Sequence, residues 1–254
     1  MKVIAINGSP HPQGNTFHAL KTIGEELKKE NIEFEILQVG SQNIHGCMGC
    51  NMCFRNKNEK CVITTDSFNE LLQKIKDVDG IILGSPVHFS GIAGTMKCFL
   101  DRAFYVSGAN GNWFRHKVGA AIVAVRRSGG SHTLDGLYHY LSYSEMLIPS
   151  SNYWNIIHGL KAGEAIQDAE GNQIMRVLGK NMAWLLKMRE QTKDTLATLH
   201  LDPRTKLYLL IVGNVALFLA PSLLYEIALV VCVVILGVLT GAKRFTVRMA
   251  AVYA

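Results

Sequence analysis

Several common functional signatures are missing from this sequence. No dense stripe of lysine and arginine interleaved with aromatics runs through it, so no nucleic-acid partner is expected. The formal net charge is +6 over 254 residues, but it is unevenly spread. Residues 201–254 hold Arg204, Lys206, Lys243, Arg244 and Arg248 against Asp202 and Glu226, which is half of that excess. No export leader is expected: the apolar stretch of the opening MKVIAINGSP is short and runs straight into a Gly-Ser-Pro turn. A cytoplasmic setting is therefore expected, and disulfides are rare there. There is no GxGxxG dinucleotide fingerprint and no GK[ST] of a P-loop. Long apolar runs are also absent until residue 207.

What is present is an alternation of short apolar runs and helical patterns. MKVIAING, EFEILQVG, GIILGSP, KVGAAIVAV and IPSSNYWN read as five strands. Between and after them, NTFHALKTIGEELKKEN, SFNELLQKIKDVDG, TMKCFLDRAFYV, SHTLDGLYHYLSYSEM and NQIMRVLGKNMAWLLKMREQTKDTLATL have helical spacing. Asn15 or Thr16 would cap the first helix, and Asp66 or Ser67 the second. Such alternation predicts an α/β fold, a doubly wound five-stranded parallel sheet with helices on both faces.

Three loops at the carboxyl edge of that sheet carry chemistry. NGSPHPQGNT follows the first strand and opens the first helix, where backbone N–H groups and the helix dipole favour an anion. Ser9, Asn15 and Thr16 add side-chain donors, and Gly8 and Gly14 allow a phosphate to approach the backbone. The third strand ends in Pro86-Val87-His88-Phe89, an extended segment on which a flat ring could lie. The fourth ends in VRRSGGSHT, again glycine-rich. Between the second strand and its helix lies an unusually long connection, about residues 41–65, and loops of that length tend to be functional. It contains GCMGCNMCFRNKNEKC, with Cys47, Cys50, Cys53 and Cys61. An iron–sulfur cluster, a zinc ion and a metal-free loop are all open readings, although zinc usually shows two CxxC pairs. Cys98 and Cys232 read as buried small hydrophobes.

Residues 1–195 resemble the flavodoxin-like NAD(P)H-dependent FMN reductases, and within them the iron–sulfur flavoproteins. The resemblance rests on Gly8-Ser9-Pro10, Gly14-Asn15-Thr16, Gly84-Ser85-Pro86-Val87-His88-Phe89 and Gly129-Gly130. His88 stands where that family usually has tyrosine, and Arg126-Arg127-Ser128 departs from its usual loop. The resemblance implies FMN, with Ser9, His11, Gly14, Asn15 and Thr16 around its phosphate. Pro86, Val87, His88, Phe89, Gly129 and Gly130 would lie around its ring system. It also implies NAD(P)H as co-substrate, a small-molecule or protein electron acceptor, and a homodimer. The C-x2-C-x2-C run with a more distant cysteine is similar to the cluster-binding run of iron–sulfur flavoproteins. This implies a 4Fe–4S cluster on Cys47, Cys50, Cys53 and Cys61.

After about residue 200 the character changes. Leu207 to Ala242 contains one charged residue, Glu226, and is broken by Ala220-Pro221-Ser222. A helical hairpin inserted in a membrane is expected, with both basic flanks on the cytoplasmic side. LDPRTK and the apolar run after it resemble the start of the transmembrane T component of energy-coupling-factor transporters. The later helices of that family do not follow, which implies a fused anchor and not a working transport subunit. The expected organisation is a flavodoxin-like reductase domain over 1–198 and a membrane-associated hairpin over 199–254.

Overall fold

The computed structural model describes residues 1–196 and, beyond them, the isolated positions 208, 211, 212, 215 and 222. Five parallel strands form the sheet: β1 (Lys2–Asn7), β2 (Glu33–Gln38), β3 (Gly80–His88), β5 (Val118–Val125) and β6 (Ile156–His158), in the order β2-β1-β3-β5-β6. A two-residue strand, β4 (Gly91–Ile92), folds back antiparallel on the end of β3. Within residues 1–196 they are accompanied by the α-helices α1 (Asn15–Lys29), α2 (Met52–Asn56), α3 (Phe68–Lys76), α4 (Gly94–Ala109), α5 (Gly130–Tyr143) and α6 (Ala169–Leu196), and by a short 3-10 helix over Glu164–Gln167. The chain divides into two compact units, Met1–Lys187 and Met188–Ala254, and the sheet with its edge loops belongs to the first.

The central strands are apolar on both sides because both faces are covered. Successive side chains of a strand point to opposite faces, and the two cores sort accordingly. Ile4, Ile6, Ile81 and Leu83 pack with Phe68 and Leu72 of α3, Phe99 and Leu100 of α4, and Leu137 of α5. Val3, Ala5, Ile82, Ala120 and Ile122 pack with Leu20, Ile23 and Leu27 of α1 and with Leu178 and Met182 of α6. The doubly wound parallel sheet is therefore as expected.

Two local differences have physical causes. The last strand is Ile156–His158, just after the expected IPSSNYWN. Pro149 has no N–H to give a ladder, and Ser151 Oγ turns back to the Tyr153 carbonyl at 2.5 Å and to Asn155 Oδ1 at 2.6 Å. Asn155 then joins β5 through its own groups: its carbonyl accepts from Val123 N at 3.0 Å, and its Nδ2 donates to the Ala121 carbonyl at 3.0 Å. The second difference is the long connection after β2, which is not structureless but contains α2. The expected hairpin over 207–242 lies outside the described residues. Among the described residues, no helix is long and apolar enough to cross a membrane.

One buried ion pair closes the base of the long connection. Arg102, on α4, is 1 % exposed. Its Nη1 donates to Asp66 Oδ2 at 2.5 Å and to the His45 carbonyl at 3.1 Å, and its Nη2 donates to the Ile63 carbonyl at 3.2 Å. The guanidinium lies over the Phe68 ring, 3.8 Å from its centroid. Asp66 Oδ2 also accepts from His45 N at 2.9 Å, and Oδ1 accepts from Phe68 N at 3.2 Å, pairing one N–H of the first turn of α3, whose N-cap, Ser67, makes no side-chain bond to the helix. Burial alone would raise the Asp66 carboxyl, but the Arg102 guanidinium and these two backbone donors together hold it below the usual carboxylate range.

Breaking a buried pair by removing one partner leaves an uncompensated charge, at a cost of about 3–5 kcal/mol. Asp66→Asn should therefore lower the unfolding free energy by roughly that amount near pH 7. Because the folded-state pKa is depressed, Asp66 contributes stability above its unfolded value of about 4 and loses it as pH falls through the folded value. Chemical denaturation of both proteins should thus show a gap that narrows below about pH 4. An unchanged gap at pH 3 would refute the ionic assignment.

Candidate functional site

The carboxyl edge of the sheet is built by loops that touch one another. The loop after β1 is anchored by Gly8 N donating to the Gly84 carbonyl at 2.8 Å. A Cβ on Gly8 would lie 2.6 Å from Met96 Cβ and 2.9 Å from the Gly84 oxygen, so only glycine fits between β3 and the first turn of α4. The loop is shaped from inside. Ser9 N donates to Asn7 Oδ1 at 3.1 Å, Ser9 Oγ accepts from His11 N at 3.1 Å, and Gln38 Nε2 donates to the Ser9 carbonyl at 2.8 Å. Ser9, Gly14 and Thr16 are buried, whereas His11 is exposed. Gly14 is the N-cap of α1 and no side chain caps that helix. The first-turn N–H groups thus have no side-chain partner of the kind that normally satisfies them, which is the arrangement that suits an anion. Asn15 faces elsewhere. Its Oδ1 accepts from Gly163 N at 2.9 Å and Ala165 N at 3.2 Å, and its Nδ2 donates to the Lys161 carbonyl at 2.9 Å. That carboxamide ties α1 to the segment after β6.

The second loop is the tight β3–β4 turn, with Val87 paired to Ile92 and His88 to Gly91. Its two central residues, Phe89 and Ser90, have φ of +48° and +57°. A two-residue hairpin of this type I′ kind demands positive φ at both positions and favours Asn-Gly. A phenylalanine there carries strain of about 1–2 kcal/mol, and the side chain is fully exposed instead of packed. Ser85 steadies the turn from below: its Oγ accepts from Ala93 N at 3.0 Å and donates to the Pro86 carbonyl at 2.8 Å. Pro86 and Val87 are half-buried and His88 is exposed. The third loop closes on the second. Gly129, at φ +85°, would place a Cβ 2.8 Å from Ser90 Oγ and 3.1 Å from Val87 Cγ1. Gly130 opens α5 against Ile156, its own Cβ position lying 2.9 Å from Ile156 Cδ1. Ser9, Gly14 and Thr16 thus cluster on the first loop, while Pro86, Val87, His88, Phe89, Gly129 and Gly130 form one surface from the second and third.

The cysteine segment leaves the same edge. A Cβ on Gly40 would collide with the backbone of Gly8 and Ser9, so the chain brushes the first loop on its way out. Cys47, Cys50, Cys53 and Cys61 then line one small cavity, together with Val62, Ile63, Tyr105 and Arg102. All four thiols are free. Cys53, on α2, is buried; Cys61 is half-buried; Cys47 and Cys50 are exposed. Burial pushes the Cys53 thiol up, against hydrogen bonds from backbone N–H groups, and the neighbouring Cys61 and Cys47 push the same way.

The polar stretch between Cys53 and Cys61 is pinned, not free. Glu59 N donates to Asn110 Oδ1 at 3.1 Å, the Glu59 carbonyl accepts from Gln73 Nε2 at 3.0 Å, and its carboxylate pairs with Lys76 at 2.5 Å. Cys61 is held on both sides by Asn69, whose Oδ1 accepts from Cys61 N at 2.8 Å and whose Nδ2 donates to the Cys61 carbonyl at 2.9 Å. On the far side, Tyr105 donates to Asn51 Oδ1 at 2.5 Å and its ring meets Phe54 edge-on at 5.1 Å between centroids. Among the described residues, no three Cys, His, Asp or Glu side chains are gathered tightly enough to grip a single metal ion. A cubane cluster spreads its four thiolate ligands over separate iron corners, so it asks for a wider set than one ion does. Four free thiols around one cavity suit that set.

Sequence reasoning passes over Arg102, Asn69, Asn110 and Tyr105. A signal exists for Arg102 alone: it is a cation inside the apolar helical stretch Cys98–Val106, where its placement puts it among Phe99, Ala103 and Phe104. Asn69 and Tyr105 sit at ordinary helical positions and Asn110 at the C-cap of α4, and nothing in the sequence distinguishes them from surface residues.

Comparison with known proteins gives the family and the fold. Residues 1–161 match the family NADPH-dependent FMN reductase. An iron–sulfur flavoprotein of Methanocaldococcus jannaschii is 35 % identical over 195 residues, covering 74 % of this chain and 98 % of that protein. An iron–sulfur flavoprotein of Archaeoglobus fulgidus is 32 % identical over 149 residues, covering 58 % and 71 %. In fold, the chain is similar to RosB, solved with bound 8-demethyl-8-formylriboflavin-5'-phosphate (TM-score 0.61, 18 % identity, 76 % and 81 % covered). It is also similar to the Trp repressor binding protein of Bacillus subtilis (TM-score 0.51, 14 % identity, 69 % and 96 % covered). With its doubly wound sheet and its edge of glycine-rich loops, the chain belongs to the NADPH-dependent FMN reductase family of flavoprotein oxidoreductases, alongside iron–sulfur flavoprotein relatives.

Proposed function

We propose that this protein is an FMN-dependent NAD(P)H oxidoreductase that passes electrons through a 4Fe–4S cluster to a small-molecule or protein acceptor. The observation that carries this reading is the grouping of Cys47, Cys50, Cys53 and Cys61 around one cavity beside α4. The first turn of the same helix packs Met96 against Gly8 of the first edge loop. The cysteine set and the flavin-type loops thereby share one helix as a common wall.

FMN would supply two-electron exchange with a nicotinamide and one-electron exchange with other centres. Ser9, Thr16 and the uncapped first turn of α1 would hold its phosphate, and His11 stands at the rim. Pro86, Val87, His88, Phe89, Gly129 and Gly130 would bound its ring system. Asn15 acts one step back by fixing the segment that follows β6 against the start of α1. The four cysteines would hold the cluster, which supplies single-electron steps. Met48 and Phe54 are 60 % and 44 % exposed beside the exposed Cys47 and Cys50. That apolar rim favours an acceptor or donor that is itself a protein.

The same rim supports a second reading, an electron carrier reduced by a protein instead of by a nicotinamide. Anaerobic mixing with NADH and NADPH separates the two. Flavin bleaching within seconds is expected for the reductase; bleaching only by a reduced protein donor would favour the carrier. For the cysteines, anaerobically prepared protein should contain about four irons per chain with matching sulfide, the content of one such cluster. Cys50→Ala should lose that iron while keeping FMN, and retention of all iron would remove Cys50 from the ligand set.

The apolar run 207–242 supports a membrane tether, with a homodimer of the first unit on the cytoplasmic side. The full chain should then sediment with membranes and resist extraction by high salt, which weakens charge contacts but not apolar insertion. A chain ending at Thr198 should stay in the supernatant. Full-length protein that is monodisperse without detergent would sink the tether.

A further inference from the structure

We propose that Arg102 is a built-in donor to the cysteine cavity, its Nε–H placed to hydrogen-bond a sulfur of the cluster that Cys47, Cys50, Cys53 and Cys61 would hold. The proposal rests on the cluster reading of those four residues. Four observations carry it. Arg102 lines the cavity with the four cysteines. Its side chain is 0 % exposed. Its Nη1 is taken up by Asp66 and the His45 carbonyl, and its Nη2 donates to the Ile63 carbonyl. Its Nε is buried and has no partner among the described residues. Proteins rarely leave a buried donor of a charged group unsatisfied, because its desolvation is then uncompensated. The side-chain oxygens in the lining, Asn51 Oδ1 and the Tyr105 hydroxyl, are engaged with each other, so the acceptors left in the cavity are sulfurs: a cysteine thiolate or a bridging sulfide.

The surroundings also fix where that donor stands. The guanidinium is clamped against the Phe68 ring at 3.8 Å, and the two loop carbonyls it holds, His45 and Ile63, flank the cysteine segment on either side. One side chain therefore sets the base of the loop and presents a charged donor to its contents. Donors and positive charge near cluster sulfurs favour the reduced, more negative state and raise the reduction potential. Asp66 behind the guanidinium works the other way.

The test uses the full chain, reconstituted anaerobically, with iron and sulfide measured first. Pulsed paramagnetic resonance of the reduced cluster, in protein grown with arginine labelled by nitrogen-15 at Nε, should show a nitrogen-15 hyperfine coupling. The coupling should persist in Arg55→Lys, which changes the exposed arginine of α2. Potentiometric titration should then show opposite shifts. Arg102→Lys keeps the charge but loses the Nε donor, so it should lower the cluster potential at unchanged iron content. Asp66→Asn removes the opposing anion and should raise it. A general loosening of the loop would move both variants the same way, and that result overturns the proposal. So does a cluster with full iron content and no labelled coupling, a result the wild-type protein gives even if a variant fails to fold. Absence of iron and sulfide after reconstitution would instead remove the cluster reading itself.

Discussion

The Asp66–Arg102 pair is the constraint on which the cysteine region depends. A charged pair buried this deeply is not favourable through Coulomb attraction alone, since removing both ions from water costs several kcal/mol. It is tolerated because nearly every polar atom has a second duty. The carboxylate takes the backbone N–H of His45 and of Phe68 as well as the guanidinium. The guanidinium takes two loop carbonyls and covers an aromatic face. Backbone groups that a long loop would otherwise leave unsatisfied near the core are thus paired. The same arrangement makes the segment between His45 and Ile63 a closed loop with a rigid base, on which four cysteines can be displayed in a fixed order.

The sheet edge solves a different problem by a different means. There the loops are brought together by the absence of side chains. Gly8 against Met96 and Gly84, Gly40 against Gly8 and Ser9, and Gly129 against Ser90 and Val87 are all approaches that any Cβ would block. Close backbone contact draws N–H groups and short side chains of separate strands onto one surface. The cost appears at Phe89 and Ser90, held in the left-handed region by the two-residue turn. Strain of this kind persists where neighbours over-determine the conformation. Here the neighbours are Gly129 on one side and the Ser85 hydroxyl bridging Ala93 and Pro86 on the other.

Much of this is legible in the sequence. Continuous apolar runs and their alternation with helical patterns are properties of single segments, and they locate β1, β2, β3, β5 and the helices around them. The three edge loops and the cysteine run can likewise be read, because glycines cluster at the strand ends and four of the six cysteines fall in one short run. What cannot be read depends on partners far away in the chain. Asn15 reads as a donor for a ligand, yet its carboxamide is held by residues about 150 positions later. The strand expected over IPSSNYWN lies a few residues further on, since Asn155 reaches β5 through its side chain and the hydroxyl of Ser151 turns the chain before it. Arg102, at the heart of the cysteine region, carries no local signature beyond being charged in an apolar stretch.

The ion pair and the glycine contacts meet on α4. Its first turn packs Met96 against the first edge loop, Cys98 lies near Gly46 at the mouth of the cysteine segment, and Arg102, one turn further on, lines the cavity itself. A rigid helix buried in the core by Phe99, Leu100 and Ala103 fixes these three contacts relative to one another. On the proposed function, an electron path between a flavin on the edge and a centre among the cysteines would require constant separation more than any particular side chain. Loops tied only to each other would let that separation drift with solvent-exposed motion. Tying both to neighbouring turns of one core helix makes the distance a property of the fold. It also explains how a long, polar, cysteine-rich connection can stay attached to a doubly wound sheet without loosening it.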